Sequence, residues 1–124
     1  MSAGGDRKVL GRWGEGQAAQ YLREHGCTLL AANWRCRMGE IDLIAADKHF
    51  LRFVEVKLRK DDRFMEAREA VDHRKQQKLK ATAALYLAGH PTKLQPRFDV
   101  AEVYASEGTA TPKPKIVYLE NAFE

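Results

Sequence analysis

Three acids and a lysine stand on two apolar runs where ionised side chains are costly to bury. Gly39-Glu40-Ile41-Asp42-Leu43-Ile44 and Phe53-Val54-Glu55-Val56-Lys57 both read as strands. Side chains alternate with period 2, so Glu40 and Asp42 share one face of their strand, and Glu55 and Lys57 one face of theirs. The turn between them decides whether the pairs meet. A two-residue hairpin at Asp47-Lys48 sets Asp42 opposite Phe53 and leaves Glu55 its diagonal same-face neighbour. Any even-length loop keeps the acids on one face, whereas an odd-length loop separates them. Carboxylates gathered in low dielectric repel one another and need a proton or a bridging cation. Hard divalent cations such as Mg2+ take such oxygens together with water and substrate phosphate, and they polarise a phosphoryl oxygen. Lys57 is suited to orient the attacking water or to stabilise charge on the phosphate. Together these are the components of a phosphodiester-cleaving centre. Glu-x-Lys alone is common and reads more readily as a salt bridge between Glu55 and Lys57 on a half-exposed edge strand. Asp42 lies 13 positions upstream, Phe53, Val54 and Val56 frame the pair, and Glu15 adds an oddly placed helical acid. These three features favour the functional reading.

The elements that must position these residues follow from periodicity. Gly11 to His25 is expected as a helix, with Trp13, Ala18, Tyr21, Leu22 and His25 at helical spacing and Gly26 as its stop. Glu15 projects from the stripe of Ala18, Ala19 and Leu22, so it is expected to be buried and to need a partner or a metal. Strands are expected over Thr28 to Cys36, Glu40 to Ala45 and Phe50 to Leu58, as an antiparallel meander. A long helix over Glu66 to Ala88 follows, with Ala67, Ala70, Val71, Leu79, Ala83, Tyr86 and Leu87 on its stripe and an end at Gly89-His90-Pro91. Two more strands, Arg97 to Ala105 and Lys115 to Leu119, complete the order α-β-β-β-α-β-β. This suits an α/β sandwich in which the crossover helix returns the chain parallel to the third strand. Trp13, Trp34, Tyr86 and Phe98 are core candidates, and Arg97 and Asp99 have the parity of a structural pair. Gly14-Glu15-Gly16-Gln17-Ala18-Ala19 imitates a dinucleotide fingerprint, but no strand precedes it and Glu15 would repel a pyrophosphate.

With 124 residues, residues 1–10 read as a flexible N-terminus and residues 11–124 as a single domain. No apolar run approaches the ~18 residues of a membrane span, and the start lacks a signal peptide's apolar stretch, so no membrane role and a cytoplasmic location are expected. Cys27 and Cys36 read as reduced residues, and the four histidines show no zinc spacing. The net charge of +4 is concentrated between Arg52 and Lys80, where 10 basic residues face 6 acidic ones. Within that window Arg59, Lys60, Arg74, Lys75 and Lys78 are candidate contacts to nucleic-acid phosphates beside the acids. Solvation of a long helix accounts for them equally well.

The run from Gly11-Arg12-Trp13-Gly14-Glu15 through the two acidic segments to Arg97-Phe98-Asp99-Val100 resembles the YraN family of bacterial proteins. That resemblance spans about Gly11 to Tyr104. It implies the restriction-endonuclease-like fold, with similarity to PD-(D/E)xK nucleases and archaeal Holliday junction resolvases. On that basis Asp42 and Glu55 are expected to bind Mg2+ or Mn2+, Lys57 to assist the nucleophile, and Glu15 to be an additional acid, with Glu40 an accessory candidate. Met65 departs from the family's usual glycine and is expected to stiffen the loop beyond Lys57. The implied activity is hydrolysis of DNA, including branched DNA such as Holliday junctions, by a protein that cuts both strands as a homodimer. The alternatives are a non-catalytic nucleic-acid-binding or assembly protein that keeps the fold, and a protein-interaction module whose charges only solvate it.

Overall fold

The structure is a computed structural model that describes residues 3–60 and 71–124. Helix α1 (Ala3–Glu24) leads into strands β1 (Thr28–Cys36), β2 (Gly39–Ala46) and β3 (Phe50–Arg59). Helix α2 (His73–Gly89) then crosses to β4 (Gln95–Tyr104), and β5 (Lys115–Phe123) closes the chain. All five strands form one sheet in the order β1-β2-β3-β4-β5. Neighbours are antiparallel except β3 and β4, which run parallel from Phe50↔Gln95 to Arg59↔Tyr104. A parallel pair needs a long crossover, and α2 supplies it. The α-β-β-β-α-β-β order and mixed sheet are those of the restriction-endonuclease-like fold.

Each helix covers one face of the sheet. Ala18, Ala19 and Leu22 of α1 pack with Leu43, Ala45, Val54, Ala101 and Val103. On the other face Leu79, Ala83 and Tyr86 of α2 pack with Ile41, Ile44, Leu51, Phe53 and Val100. The residues of β3 and β4 alternate between the two clusters, as a sheet buried on both sides requires. Trp34 and Phe53 both meet the Tyr86 ring edge-on, with centroids 5.3 and 5.9 Å away. Trp34, Tyr86 and Phe98 join the α2-side core and Trp13 packs against the α1-side core, as expected. Neither cysteine is in a disulfide.

Three boundaries differ from expectation by more than two residues. Helix α1 starts at Ala3 rather than Gly11. Its extra turns carry Leu10 to a shallow recess that Leu58 also lines, so tertiary contact offsets the helix cost of the glycines. Helix α2 starts at His73, because Asp72 is extended and its carboxylate caps the helix by accepting the Lys75 N–H at 2.8 Å. The part of the expected helix from Glu66 to Ala70, together with Met65, Arg63 and Arg68, lies outside the described residues. Strand β5 continues past Leu119 to Phe123, since Phe98 pairs with Phe123 and stacks on it at 5.0 Å.

Candidate active site

The β2–β3 hairpin sets the central geometry. Asp47 N–H donates to the Phe50 carbonyl, so the connecting residues are Lys48 and His49 rather than Asp47 and Lys48. The Asp47 carboxylate fixes this choice by accepting the His49 and Phe50 N–H groups, both at 2.8 Å, and the Arg52 guanidinium. Pairing then runs from Ala46↔Leu51 to Leu43↔Val54. The ladder ends there, and Asp42 and Glu55 are the next residues on the two strands, near enough for the charge and hydrogen bonding of Asp42 to act on Glu55. Phe53 pairs with Ile44, so the expected opposition of Asp42 to Phe53 does not form.

Strand β2 breaks its alternation at this point. Ile41 and Ile44 both join the α2-side core, while Leu43 and Ala45 join the α1-side core. Asp42 sits at the break and turns towards β3, where its Oδ2 accepts the Val56 N–H at 2.9 Å. Here a side chain takes the place of a ladder carbonyl, which satisfies a strand amide that β2 no longer reaches. Glu40 lines a recess of about 400 Å³ with Lys8, Arg12, Glu15, Asn33 and Arg35, and both Glu40 and Asp42 act electrostatically on Glu15.

Glu55 is only 8% exposed. Burial pushes its carboxyl up, and the charge and hydrogen bonding of Asp42 push it further. Lys75 and Lys57 oppose the rise, and the group lies at about 7. Lys57 follows on the same face of β3, half-buried, and its register partner on β4 is the buried Glu102. The Lys75 ammonium approaches from α2, 3.8 Å from Glu55 Oε2.

Glu15 reaches the same region from α1. It is half-buried rather than fully buried as expected, and burial raises its pKa. A hydrogen bond from Asn33 lowers it, Asp42 and Glu40 raise it, and Arg12 lowers it. Asn33 was not foreseen in this role. Its Nδ2 also donates to Glu40 at 2.9 Å, and Glu40 accepts a further bond from Arg35 Nε at 3.0 Å. Asn33 has φ 52°, a left-handed conformation that asparagine tolerates better than most residues. An asparagine within a strand-like run was the available signal.

The five expected phosphate contacts divide. Arg74 and Lys78 are exposed on the first turns of α2, and Lys60 is exposed after β3. Lys75 is engaged with Glu55, and Arg59 pairs with Glu102 at 3.3 Å. A larger recess, about 690 Å³, opens at the Phe50 end of β3 beside Arg97 and Asn121, away from Lys57. Behind it the expected Arg97–Asp99 pair is present, with Asp99 fully buried. Asp99 also accepts from Tyr118 Oη at 2.6 Å and from Asn121 N–H at 2.9 Å. Burial, then Asp99, drives the Tyr118 hydroxyl upward. This cluster ties β5 to β4 and has no spare donor set for chemistry.

Among the described residues, no three His, Cys, Asp or Glu side chains converge as a ready-made metal cage. The available donor set is two adjacent carboxylates, one of them buried and raised by the other. That set suits a hard cation that keeps most of its ligands as water and phosphate, and it does not suit a zinc cage.

No helix among the described residues is long and apolar enough to cross a membrane. Residues 14–103, which include Glu15, Asp42, Glu55 and Lys57, match the family model described as "Uncharacterised protein family UPF0102". The chain is 44% identical over 119 residues to a UPF0102 protein of Caldanaerobacter subterraneus, covering 95% of this chain and 97% of that protein. It is 42% identical over 120 residues to one of Nocardia farcinica, covering 96% and 92%. A third, from Pseudomonas fluorescens, is 37% identical over 126 residues, covering 97% of each. With a match that contains all four candidate catalytic residues and relatives similar along nearly their whole length, the chain belongs to the UPF0102 family, which is the YraN family.

Proposed function

We propose that this protein is a divalent-cation-dependent endonuclease that hydrolyses phosphodiester bonds in DNA, branched DNA included. The observation that carries the reading is that Asp42, bonded to the Val56 amide, stands beside buried Glu55, with Lys57 next on the same face of β3 and exposed cations on α2. Asp42 and Glu55 would hold Mg2+ or Mn2+, which when bound supplies Lewis-acid stabilisation of charge on the phosphoryl group. The Val56 amide fixes the Asp42 carboxylate, so this ligand is oriented before any substrate arrives. Lys57 donates to the attacking water or to a non-bridging phosphate oxygen, where negative charge grows as the water oxygen bonds to phosphorus. The attacking water gives up a proton to solvent as its oxygen bonds to phosphorus, the bond to the leaving sugar oxygen breaks, and that oxygen takes a proton from solvent. Arg74, Lys78 and Lys60 hold neighbouring phosphates without reading bases. Cutting both strands of a junction needs two such sites, so the active form is a homodimer.

The test is cleavage of linear, nicked, flapped and four-way-junction DNA with Mg2+ and then Mn2+, beside Asp42→Ala and Glu55→Ala prepared identically. Products from the native protein alone support the reading. Equal cleavage by either variant overturns it. The competing reading is a non-catalytic nucleic-acid-binding protein, favoured by the Lys75–Glu55 pair, which partly neutralises the site without a metal. It predicts salt-sensitive junction binding, no products with any metal, and little effect of Glu55→Gln on binding.

A further inference from the structure

Lys75 is the third residue of α2, and its own N–H is held by the Asp72 cap at 2.8 Å. The helix end is therefore fixed while the long side chain is free to swing. Its ammonium lies 3.8 Å from Glu55 Oε2, a distance of charge attraction rather than a tight hydrogen bond. The two partners are unequal. The Glu55 side chain is 9% exposed, while that of Lys75 is 45% exposed. Solvated Lys75 can leave at small cost, whereas Glu55 cannot be left uncompensated cheaply. Arg74 and Lys78, exposed on the same helix end, mark where the ammonium would go, onto a row of phosphates.

We propose that Lys75 stands in for the divalent cation in the free protein and moves to a substrate phosphate when cation and nucleic acid load. This rests on the reading of Asp42 and Glu55 as cation ligands. A divalent ion against Glu55 repels an ammonium only a few ångströms away, and a phosphate beside α2 attracts it. Each ligand therefore prefers the side-chain position that the other also prefers. Nucleic acid and cation bind with positive coupling, reciprocal by linkage. A free protein without substrate holds its metal weakly, which keeps the cleaving centre incomplete until a phosphate backbone arrives.

The test uses the full chain and two separate titrations, Mn2+ without DNA by electron paramagnetic resonance, and four-way-junction DNA in EDTA by fluorescence anisotropy. Lys75→Gln is expected to bind Mn2+ about 5- to 10-fold tighter than wild type and junction DNA about 3- to 10-fold weaker. Lys75→Arg, which keeps the cation, restores both values towards wild type, and Lys78→Gln weakens DNA binding while leaving Mn2+ affinity unchanged. Opposite shifts from one substitution are not produced by a merely structural lysine. If Lys75→Gln leaves Mn2+ affinity unchanged or lowers it while Glu55→Ala abolishes Mn2+ binding, the stand-in role is overturned and the cation site survives. If neither wild type nor Lys75→Gln binds Mn2+, the cation site fails and the inference fails with it.

Discussion

A Cβ added to Gly14 would lie 2.7 Å from Cδ2 of Leu58, so α1 approaches β3 closely enough that any side chain at this position must displace the leucine terminus. Glu15 is the next residue, and this close approach brings its carboxylate within electrostatic range of Asp42. Gly14→Ala asks only a flexible leucine terminus to shift, and the gain in helix propensity is about 1 kcal/mol, so stability should change by less than that. Gly14→Val forces the helix off the sheet and should cost about 1–3 kcal/mol in urea unfolding. It should also lower cleavage more than its effect on stability explains, because Glu15 moves with the helix.

Asp42 has two separable duties. Asp42→Asn keeps a carbonyl oxygen for the Val56 N–H and should fold with near-native stability, yet bind no Mn2+. Asp42→Ala leaves that amide unsatisfied and should cost about 1–3 kcal/mol as well. Denaturation and Mn2+ titration of the two variants separate the effects; equal stability of both would contradict the assigned hydrogen bond.

Glu55 links folding to pH in the metal-free protein. Its ordinary pKa is 4.5 and its folded value about 7, so between those values the folded state keeps a proton that the unfolded chain has released. Stability therefore falls as pH rises through that window. Glu55→Gln removes the titration. Its Tm should match wild type near pH 5 and exceed it at pH 8, and Mg2+ should raise the wild-type Tm at pH 8 but not that of the variant.

Asp47 has the opposite sign. Burial alone would raise its carboxyl, but the His49 and Phe50 amides and the Arg52 guanidinium outweigh it and hold the group at about 2. Its contribution is present above the ordinary value of 3.8 and is lost as pH falls towards 2. Asp47→Asn should cost about 1–2 kcal/mol at neutral pH, and its difference from wild type should shrink across that acid window. Chemical denaturation at pH 7, 4 and 2.5 measures it.

Asp99 is the structural hub at the far end of the sheet. Asp99→Ala strands the nearly buried Arg97 and removes the acceptor for Tyr118 and Asn121, which should cost about 3–5 kcal/mol. Cleavage by whatever fraction remains folded should be unchanged per molecule, in contrast to Asp42→Asn, which should abolish it.

What could be read from the sequence was local. Thr28 to Cys36 shows its strand by composition and ends at turn residues, and the structure keeps both bounds. The even-length β2–β3 connection was open because Asp47 can enter the turn or cap it, and only its bonds to His49, Phe50 and Arg52 decide. The break in β2 at Asp42 was hidden for a different reason. Alternation is a property of an undisturbed ladder, and here a side chain replaces a backbone acceptor. The Arg97–Asp99 pair follows from parity, but Tyr118 and Asn121 reach Asp99 from a strand whose register no local pattern specifies. The apolar stripe extends back through Val71, and the capping chemistry of Asp72, which no periodicity reveals, sets the start of α2. Lys75 was expected to meet phosphate, and its contact with Glu55 follows only from how α2 lies on the sheet.

The parallel pairing of β3 with β4 also bears on how the protein acquires its shape. Asp42 and Glu55 meet across a hairpin, a contact between near neighbours along the chain that can form early. Glu102, by contrast, comes beside Lys57 only after the chain has passed through α2 and returned. Contacts that close long loops are slow to form, so the docking of β4 is expected to limit the folding rate. Until then the carboxylate pair sits on a sheet edge open to water, where its mutual repulsion is well screened and adds little to the barrier. The energetic conflict between Asp42 and Glu55 is thus deferred until β4 and α2 have closed over them.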